Sequence, residues 1–333
     1  MSEEPERSPE HQVQSLFPAS PEPPFHDAAA QLRDWDADWG CNDDVSPLRT
    51  VLVRRPGSEW DAVRADCWHE DARSLVDPDR NWFWESRELP DVARMQAQHD
   101  GLVATLRAEG VDVVDGGPMP PRLMNAVYAR DPMCVVRGGA VIGRMGPLMR
   151  RGEERHATQA VAALGMPILR TIHGTGMLEG GTVVKLTPRV FAFGASIRCN
   201  PEGARQLAEV LAPLGVELIV VPLAGWSIHL DGHLSMIDGD KALCDPHHLP
   251  NWFLERLREL GIELIEVPPE EDWAINGLAV RPGRIVLSEG HPRTVERLAH
   301  RGVEVVEIPY GEIQRGGGGI HCTTMELRRD RAE

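Results

Sequence analysis

The chain has 333 residues, of which 42% are apolar and 26% are charged, a composition typical of a globular protein and not of a disordered or fibrous one. No apolar stretch approaches the roughly 18 residues of a membrane-spanning helix, and the N-terminus lacks a secretory signal, so we expect no membrane partner. The formal net charge of −16 argues against a nucleic-acid partner, because binding phosphates needs clustered Lys and Arg.

The N-terminal segment is acidic and rich in proline. Residues 1–44 carry eleven acidic and two basic side chains, so they hold most of the excess charge. Six prolines stand among Glu, Ser and Gln within the first 24 residues, and such a composition buries too little apolar surface to order itself. We therefore predict a disordered tail over residues 1–27 and a single domain over residues 28–333.

The first ordered elements are predicted directly after this tail. A short helix is expected over Ala28–Trp39, and a β-branched strand over Thr50–Arg54, which Pro56 and Gly57 end. Farther on, Trp82 and Trp84 either shape a lid over a site or pack in the core.

A helix-to-strand unit then recurs five times along the chain. Each copy has an amphipathic helix, a Gly that suits a left-handed C-cap, and a short β-rich run. The five glycines are Gly110, Gly165, Gly215, Gly261 and Gly302. A two-stranded apolar segment broken by a turn follows each copy, and the chain end shortens the last of them. Because each repeat needs neighbours on both sides, we predict an α/β propeller of about five blades, closed into a ring with pseudo-fivefold symmetry.

Polar residues cluster at the start of each apolar hairpin. If the repeats are equivalent, these positions face the hub of the ring and bring together residues from separate parts of the chain. They are Asp131, Glu179, His229, Asp231, Asn276 and Cys322.

These residue types support nucleophilic catalysis at an electrophilic carbon. Cys322 follows the glycine run 316–319, which lets backbone come close to a substrate. Its thiolate needs a depressed pKa or a nearby base, which His229 can provide, while Glu179 can orient the imidazole. Asp131 and Asp231 are then left to accept hydrogen bonds from a planar cation such as a guanidinium.

Four motifs in this order resemble the guanidino-group modifying enzymes. They are YARDP at 128–132, LEGG at 178–181, HLD at 229–231 and GGGGIHCTT at 316–324, and the resemblance spans roughly residues 45 to 328. That superfamily includes arginine deiminases, dimethylarginine dimethylaminohydrolases and amidinotransferases, and its fold is a five-bladed ββαβ propeller.

The resemblance implies a role for each residue. Cys322 would be the nucleophile, His229 the general acid and base, and Glu179 its partner. Asp131 and Asp231 would hold the guanidinium. Arg198, in GASIRCN at 194–200, would grip the substrate α-carboxylate, and Arg150 or Arg151 lies in a segment similar to one in the deiminases.

The implied activity is hydrolysis of the guanidinium C–N bond of arginine or an N-substituted arginine. The product would be a citrulline-like ureido compound with ammonia or amine, formed through a covalent thiouronium on Cys322. Transfer of the amidino group to an acceptor amine uses the same residues and stays open, and a non-catalytic binding propeller is a third interpretation. A small guanidino cation is the expected partner, with no cofactor, and a homo-oligomer stays open.

The sequence departs from the family pattern at Thr182, because the second motif usually ends in Asp. The third motif, with Asp231, is like deiminases and amidinotransferases, whereas dimethylarginine hydrolases tend to lack that Asp. The subfamily therefore stays open.

Several of these residues also have a simpler, structural interpretation. Cys322 alone would pass for a small buried side chain, and Arg198 for a surface ion pair. His229 and His233 could be two metal ligands, but HLDGHLSMI at 229–237 reads as a strand, so we expect no metal. His321 is expected on the opposite strand face from Cys322, and Asn276 to cap a loop.

The remaining cysteines are scattered along the chain with no CxxC pair. They are expected to be reduced thiols in a cytoplasmic protein. They are Cys41, Cys67, Cys134, Cys199 and Cys244.

Overall fold

The structure is a computed structural model that describes residues 9–19 and 22–332. Its helices are α1 (Pro9–Gln14), α2 (Ala28–Trp35), α3 (Val92–Ala108), α4 (Glu153–Ala163), α5 (Pro201–Leu211), α6 (Asn251–Glu259), α7 (Pro292–Ala299) and α8 (Gly311–Gln314). Among these residues, no helix combines the length and the apolar character needed to cross a bilayer.

Five three-stranded sheets with the same arrangement of strands recur along the chain. Each has one antiparallel and one parallel strand pair. Listed from the hairpin to the parallel strand, four sheets are β6 (Met133–Val136), β7 (Gly139–Ile142) and β8 (Ile168–Thr171); β9 (Val183–Thr187), β10 (Val190–Ala195) and β11 (Glu217–Pro222); β12 (Leu234–Asp238), β13 (Lys241–Cys244) and β14 (Glu263–Glu266); and β15 (Leu278–Arg281), β16 (Arg284–Ser288) and β17 (Glu304–Ile308).

The remaining sheet of this plan joins the two ends of the chain. Its middle strand β1 (Leu48–Val53) pairs in parallel with β5 (Asp112–Asp115) and antiparallel with the last strand, β18 (Met325–Arg329). The final repeat therefore supplies one strand to the first sheet instead of a hairpin of its own. A small antiparallel sheet of β2 (Trp68–His69), β3 (Ser74–Val76) and β4 (Phe83–Trp84) stands apart from this plan.

The repeated unit predicted from the sequence is confirmed. A helix, α3 to α7 in turn, precedes the parallel strand of each sheet. After each helix, the predicted glycine has a positive φ, between 69° and 80°, where other residues are strained. The α/β class is thus established. Among the described residues, no strand pairing links one of these sheets to another, and closure into a five-bladed propeller stays a prediction.

The structure corrects the predicted bounds of two elements, the first strand and the helix that precedes it. The strand expected over Thr50–Arg54 is β1, which starts two residues earlier. Helix α2 ends at Trp35 instead of Trp39, because Asp36 adopts a left-handed conformation with φ of 58°. At its start, Asp27 accepts a hydrogen bond from the Ala30 amide and caps the helix.

The predicted tail is described only in part. Residues 1–8, 20 and 21 lie outside the described residues, and α1 has no buried residue. The division into a disordered tail over residues 1–27 and one domain over residues 28–333 stays a prediction.

Candidate active site

Except for Arg198, which follows β10, the predicted site residues lie in the segments that lead into the first strand of each repeat. Short 3-10 turns shape two of these segments, Gly180–Thr182 after Glu179 and Leu230–Gly232 after His229. The segment 229–233 is thus a turn, and not part of the strand that was expected over 229–237, because β12 begins only at Leu234. This turn separates His229 and Asp231 from the strand and directs both to the site.

These segments line a cavity of about 300 Å³. Five of the six predicted site residues line it, and the sixth, Glu179, lies behind His229 and is fully buried. The five lining residues are Asp131, Arg198, His229, Asp231 and Cys322.

His229 and Glu179 form a buried pair. The imidazole Nε2 lies 2.6 Å from Oε2 of Glu179, and Nδ1 lies 3.6 Å from Oδ1 of Asp131. Burial alone would lower the pKa of His229, but the negative charges of Asp131, Glu179 and Asp231 together raise it above its ordinary value. The imidazole therefore favours its protonated form, in which it can donate a proton.

Gly181 shows how closely the polar groups converge. A methyl group at this position would lie 2.8 Å from Nδ1 of His229, 3.0 Å from an oxygen of Asp231 and 3.1 Å from Oδ1 of Asp131. Three polar atoms from two segments of the chain thus face one small volume, which only glycine at position 181 leaves open.

Asp131 is paired through one oxygen only. Its Oδ2 accepts a short hydrogen bond from buried Arg150, whose guanidinium also binds Glu153 in a bidentate manner at 2.7 and 2.8 Å. The other oxygen, Oδ1, is buried and has no hydrogen-bond partner. Because a buried unpaired acceptor is costly, this oxygen is a ready acceptor for an N–H group of a ligand. Of the two arginines singled out in the sequence, Arg150 is the one that contacts the site.

Cys322 contacts a residue that the sequence did not assign to catalysis. Asn276 donates from Nδ2 to Sγ of Cys322 at 3.1 Å, and its Oδ1 accepts from the Cys322 amide at 3.2 Å. Asn276 is therefore more than a loop cap. Its position at the start of a hairpin, equivalent to the other site residues, was the signal.

The pKa of the Cys322 thiol is raised, so of the two expected ways to activate it, a depressed pKa or a nearby base, the structure does not supply the first. Burial is the main cause, and the carboxylates of Asp231 and Asp131 add to it, while the hydrogen bond from Asn276 opposes it. These surroundings favour the protonated thiol, and a positive charge beside the two carboxylates would favour the thiolate.

The prediction that His321 lies on the opposite strand face from Cys322 is wrong. The two residues lie in a turn before β18, and Nδ1 of His321 contacts Oδ2 of Asp231 at 2.7 Å. Burial would raise the pKa of Asp231, but His321, His229 and Arg130 lower it. His321 thus holds one oxygen of Asp231 and keeps this carboxylate charged.

Arg198 lies at the edge of the cavity and is partly exposed. Its Nη1 is 3.3 Å from Oε2 of Glu179, so its ion pair is with a buried site carboxylate and not with a surface group. Burial would raise the pKa of Glu179, but the hydrogen bond to His229 and the charges of His229, Arg198 and Arg150 lower it overall. Glu179 is therefore a fixed anion behind His229.

The glycine run 316–319 packs against side chains. A methyl group at Gly316 or Gly318 would lie within 2.5 Å of Tyr128, and one at Gly319 would lie 2.7 Å from Oδ1 of Asn276. The run is thus a close-packed support for Cys322 as well as part of the cavity wall.

The other predicted residues have structural roles. Thr182 donates to the Gly194 carbonyl at 2.5 Å, so the hydroxyl in place of the usual carboxylate faces backbone. Trp82 and Trp84 are buried, so they pack in the core, and Phe83 between them lines the cavity. All six cysteines are free thiols.

His229 and His233, which the sequence offered as a possible metal pair, belong to two different clusters of potential ligands, and the expected absence of a metal stays a prediction. Asp131, Glu179 and His229 have ligand atoms within 4.8 Å of one another, but their close contacts are with Arg150 and with each other. His233 lies beside Asp245 and His248.

The chain is similar in sequence to proteins of known family. The sequence model of the arginine deiminase family matches residues 118–251 and 247–329. A dimethylarginine dimethylaminohydrolase of Pseudomonas aeruginosa is 30% identical over 260 residues, which cover 77% of this chain and 96% of that protein.

Solved structures show the same fold. A cysteine-to-serine variant of the dimethylarginine dimethylaminohydrolase from Pseudomonas aeruginosa, complexed with citrulline, has a TM-score of 0.68 and 25% identity, covering 84% of this chain and 99% of that one. The inosamine-phosphate amidinotransferase of Streptomyces griseus has a TM-score of 0.67 at 18% identity, covering 88% and 97%. The chain belongs to the guanidino-group modifying superfamily and has its α/β pentein fold.

Proposed function

We propose that this protein hydrolyses the guanidinium C–N bond of arginine or an N-substituted arginine. The observation that carries the proposal is the unpaired oxygen of Asp131 beside His229, in a cavity that also holds Cys322 and Asp231. The similarity to a dimethylarginine dimethylaminohydrolase and to the arginine deiminase family supports this reaction class. The five sheets would surround the cavity as the blades of a propeller.

The guanidinium would bind between the two carboxylates. Asp131 offers Oδ1, and Asp231 lies across the same small volume, held by His321. Planar N–H groups and carboxylate oxygens form strong charge-assisted hydrogen bonds. This placement would bring positive charge to the two groups that raise the pKa of Cys322, so binding itself would favour the thiolate.

In the first half of the reaction, Sγ of Cys322 attacks the guanidinium carbon and forms a C–S bond. The C–N bond to the departing nitrogen then breaks, and the protonated imidazole of His229 gives that nitrogen its proton. The raised pKa of His229 keeps this proton available at neutral pH. Ammonia or an amine leaves, and a thiouronium remains on Cys322.

In the second half, water attacks the thiouronium carbon. His229, now neutral, takes the proton of the water, the C–S bond breaks, and the electron pair returns to sulfur. The product carries a ureido group in place of the guanidinium. Glu179 would hold His229 in one orientation throughout both steps.

Arg198 would bind the α-carboxylate of an amino-acid substrate. Its guanidinium lies at the cavity edge and is partly exposed, with only a 3.3 Å contact to Glu179, so it is accessible to a second carboxylate. Substitution of Arg198 by Ala should therefore weaken catalysis with arginine more than with agmatine, which lacks that carboxylate.

The proposal is tested with a panel of guanidino compounds: arginine, methylated arginines, agmatine and guanidinoacetate. We expect a ureido product and stoichiometric ammonia or amine from arginine or a methylated arginine. The absence of ureido product from every compound would contradict the proposal.

The same panel separates hydrolysis from amidino transfer. The second step of a transferase needs an acceptor amine in place of water. With arginine alone, each enzyme molecule would therefore release one ornithine and then stall with the amidino group bound to Cys322. Sustained citrulline formation from arginine alone indicates hydrolysis. A requirement for an added amine would replace our proposal with transfer.

A further inference from the structure

A second polar cluster adjoins the catalytic cavity. It consists of His233, Asp245 and His248, whose ligand atoms all lie within 4.8 Å of one another. We propose that these three side chains form a binding site for a divalent transition-metal ion, which is a function beyond hydrolysis of a guanidinium.

The hairpin of β12 and β13 positions two of the ligands. His233 directly precedes β12 and Asp245 directly follows β13, and the Asp245 amide donates to the His233 carbonyl at 2.9 Å. The two side chains are therefore neighbours at the open end of a rigid hairpin. The short 3-10 helix Pro246–His248 then returns His248 to the same point.

The hydrogen bonds within this cluster leave one nitrogen, Nδ1 of His233, free to bind an ion. Nδ1 of His248 lies 2.5 Å from Oδ2 of Asp245, a hydrogen bond that explains these two residues without a ligand. It does not explain His233, whose Nδ1 is buried, has no hydrogen-bond partner and lies 3.6 Å from the same Asp245 oxygen. An ion between the three groups would satisfy this nitrogen.

His233 is held in a suitable orientation for such a ligand. Its Nε2 contacts the Ser227 hydroxyl at 2.9 Å, and its ring stacks on that of His248, with centroids 4.8 Å apart. In metal sites the second ring nitrogen of a ligating histidine usually makes such a hydrogen bond, which leaves the first nitrogen for the ion.

The ligand types select the class of metal. Two imidazoles and one carboxylate suit Zn²⁺, Co²⁺, Ni²⁺ or Cu²⁺ more than Ca²⁺ or Mg²⁺, which prefer oxygen. Two atoms bound to one ion at about 2.1 Å lie at most about 4.2 Å apart, so small side-chain rotations close the site. His248 is exposed, so the ion can enter from solvent and keep a water as its fourth ligand.

The site is placed to affect the catalytic cavity. His233 lines that cavity, and the segment from Ser227 to His233 carries both His229 and Asp231. A bound ion would tie this segment to the end of the β13 strand and restrict its motion.

The test is binding of Zn²⁺, measured by calorimetry, and of Co²⁺, measured by its visible absorption, to the full chain after treatment with a chelator. We expect one ion per chain. Even supporting residues cost about 10–100-fold in metal affinity, so His248→Ala and Asp245→Asn should each weaken binding at least about tenfold. Asp245→Asn keeps an oxygen that can cap the short helix, which guards against a folding defect.

His247 is the matched control, since it is an exposed neighbouring histidine outside the cluster. His247→Ala should leave the affinity within about twofold of the unmodified chain. Equal binding by the unmodified chain and His248→Ala, or no binding at all, would overturn the proposal.

Binding at the catalytic cysteine is the remaining outcome. A Co²⁺ spectrum with a thiolate band that Cys322→Ser abolishes would place the ion at the active site and also overturn the proposal. A spectrum unchanged by Cys322→Ser but altered by His248→Ala supports it. These readouts need no turnover, so they are independent of the proposed hydrolase activity.

Discussion

Two neighbouring groups of buried charges differ in how completely they are paired. The first, here called the paired cluster, consists of Asp44, Arg130, Lys185, Glu326 and Arg329. Glu326 contacts Arg130 at 2.6 Å and Arg329 at 3.2 Å through separate oxygens. Both oxygens of Asp44 contact Lys185, one the ammonium at 2.6 Å and one the backbone amide at 2.8 Å. Every carboxylate oxygen in this cluster has a partner.

The second group lies in the catalytic cavity and is left incomplete. Oδ1 of Asp131 has no partner, although it is as deeply buried as the paired cluster. The two groups are joined through Arg130, which donates to the His321 carbonyl, while His321 holds Asp231. The same fold thus satisfies one set of buried carboxylates from within and leaves an oxygen of the other without a partner, which in the proposed function accepts a hydrogen bond from the guanidinium.

Removing the proposed nucleophile should have the largest effect. Cys322→Ala removes the only thiol among the described residues that line the cavity, so we expect release of ammonia or amine from the best substrate of the panel to fall at least about a thousandfold. Colorimetric detection of the ureido product measures this. Cys67→Ala, at a cysteine outside the cavity, is the control and should keep its activity. Turnover by the Cys322→Ala protein would rule out the covalent mechanism.

Breaking the paired cluster should cost stability. Glu326→Gln would leave Arg130 and Arg329 buried without their common anion, and removing one partner of a buried pair costs about 3–5 kcal/mol. Denaturant unfolding gives the change in free energy of unfolding.

The control for that change is Asp330→Asn, which removes the exposed partner of Arg49 near the end of the same strand. Exposed pairs contribute about 0–1 kcal/mol, so this variant should be almost unchanged. Equal losses in the two variants would contradict the distinction between buried and exposed pairs.

Asp131 should affect binding more than stability, because Arg150 keeps the bidentate carboxylate of Glu153 when Asp131 loses its charge. Asp131→Asn keeps the shape of the side chain but removes the charge that would hold the guanidinium. We expect KM to rise at least about tenfold, because hydrogen bonds to a charged group are worth about 1.5–3 kcal/mol. Steady-state kinetics measure the rise. A free energy of unfolding reduced as much as in Glu326→Gln, with KM unchanged, would show that Asp131 is structural.

The smallest expected effect is on the reactivity of Cys322. Because negative charge from Asp231 and Asp131 raises the pKa of the thiol, Asp131→Asn should lower that pKa and increase the thiolate fraction at a given pH. The rate of alkylation by iodoacetamide as a function of pH, with Cys322→Ala as the blank, measures the shift. A pKa that is unchanged or higher in Asp131→Asn would contradict this electrostatic account.

Short-range signals in the sequence were enough to predict the repeated architecture. Helix periodicity, the C-capping glycines and the turn residues of each hairpin act over a few residues, so five helix-to-strand units could be predicted without a structure. Asp131, Glu179, His229, Asp231 and Cys322 were found because they occupy equivalent places in these units.

The partners of these residues depend on the path of the loops. Asn276 contacts Cys322 across 46 residues, and His321 contacts Asp231 across 90, and no local pattern specifies such pairs. His321 was placed on the wrong side because a strand was assumed where the chain makes a turn. The sequence by itself determined the repeats and most residue types of the site. Only the tertiary structure decided which carboxylate oxygens are paired and which one is left for a ligand, because burial and pairing arise when distant segments pack together.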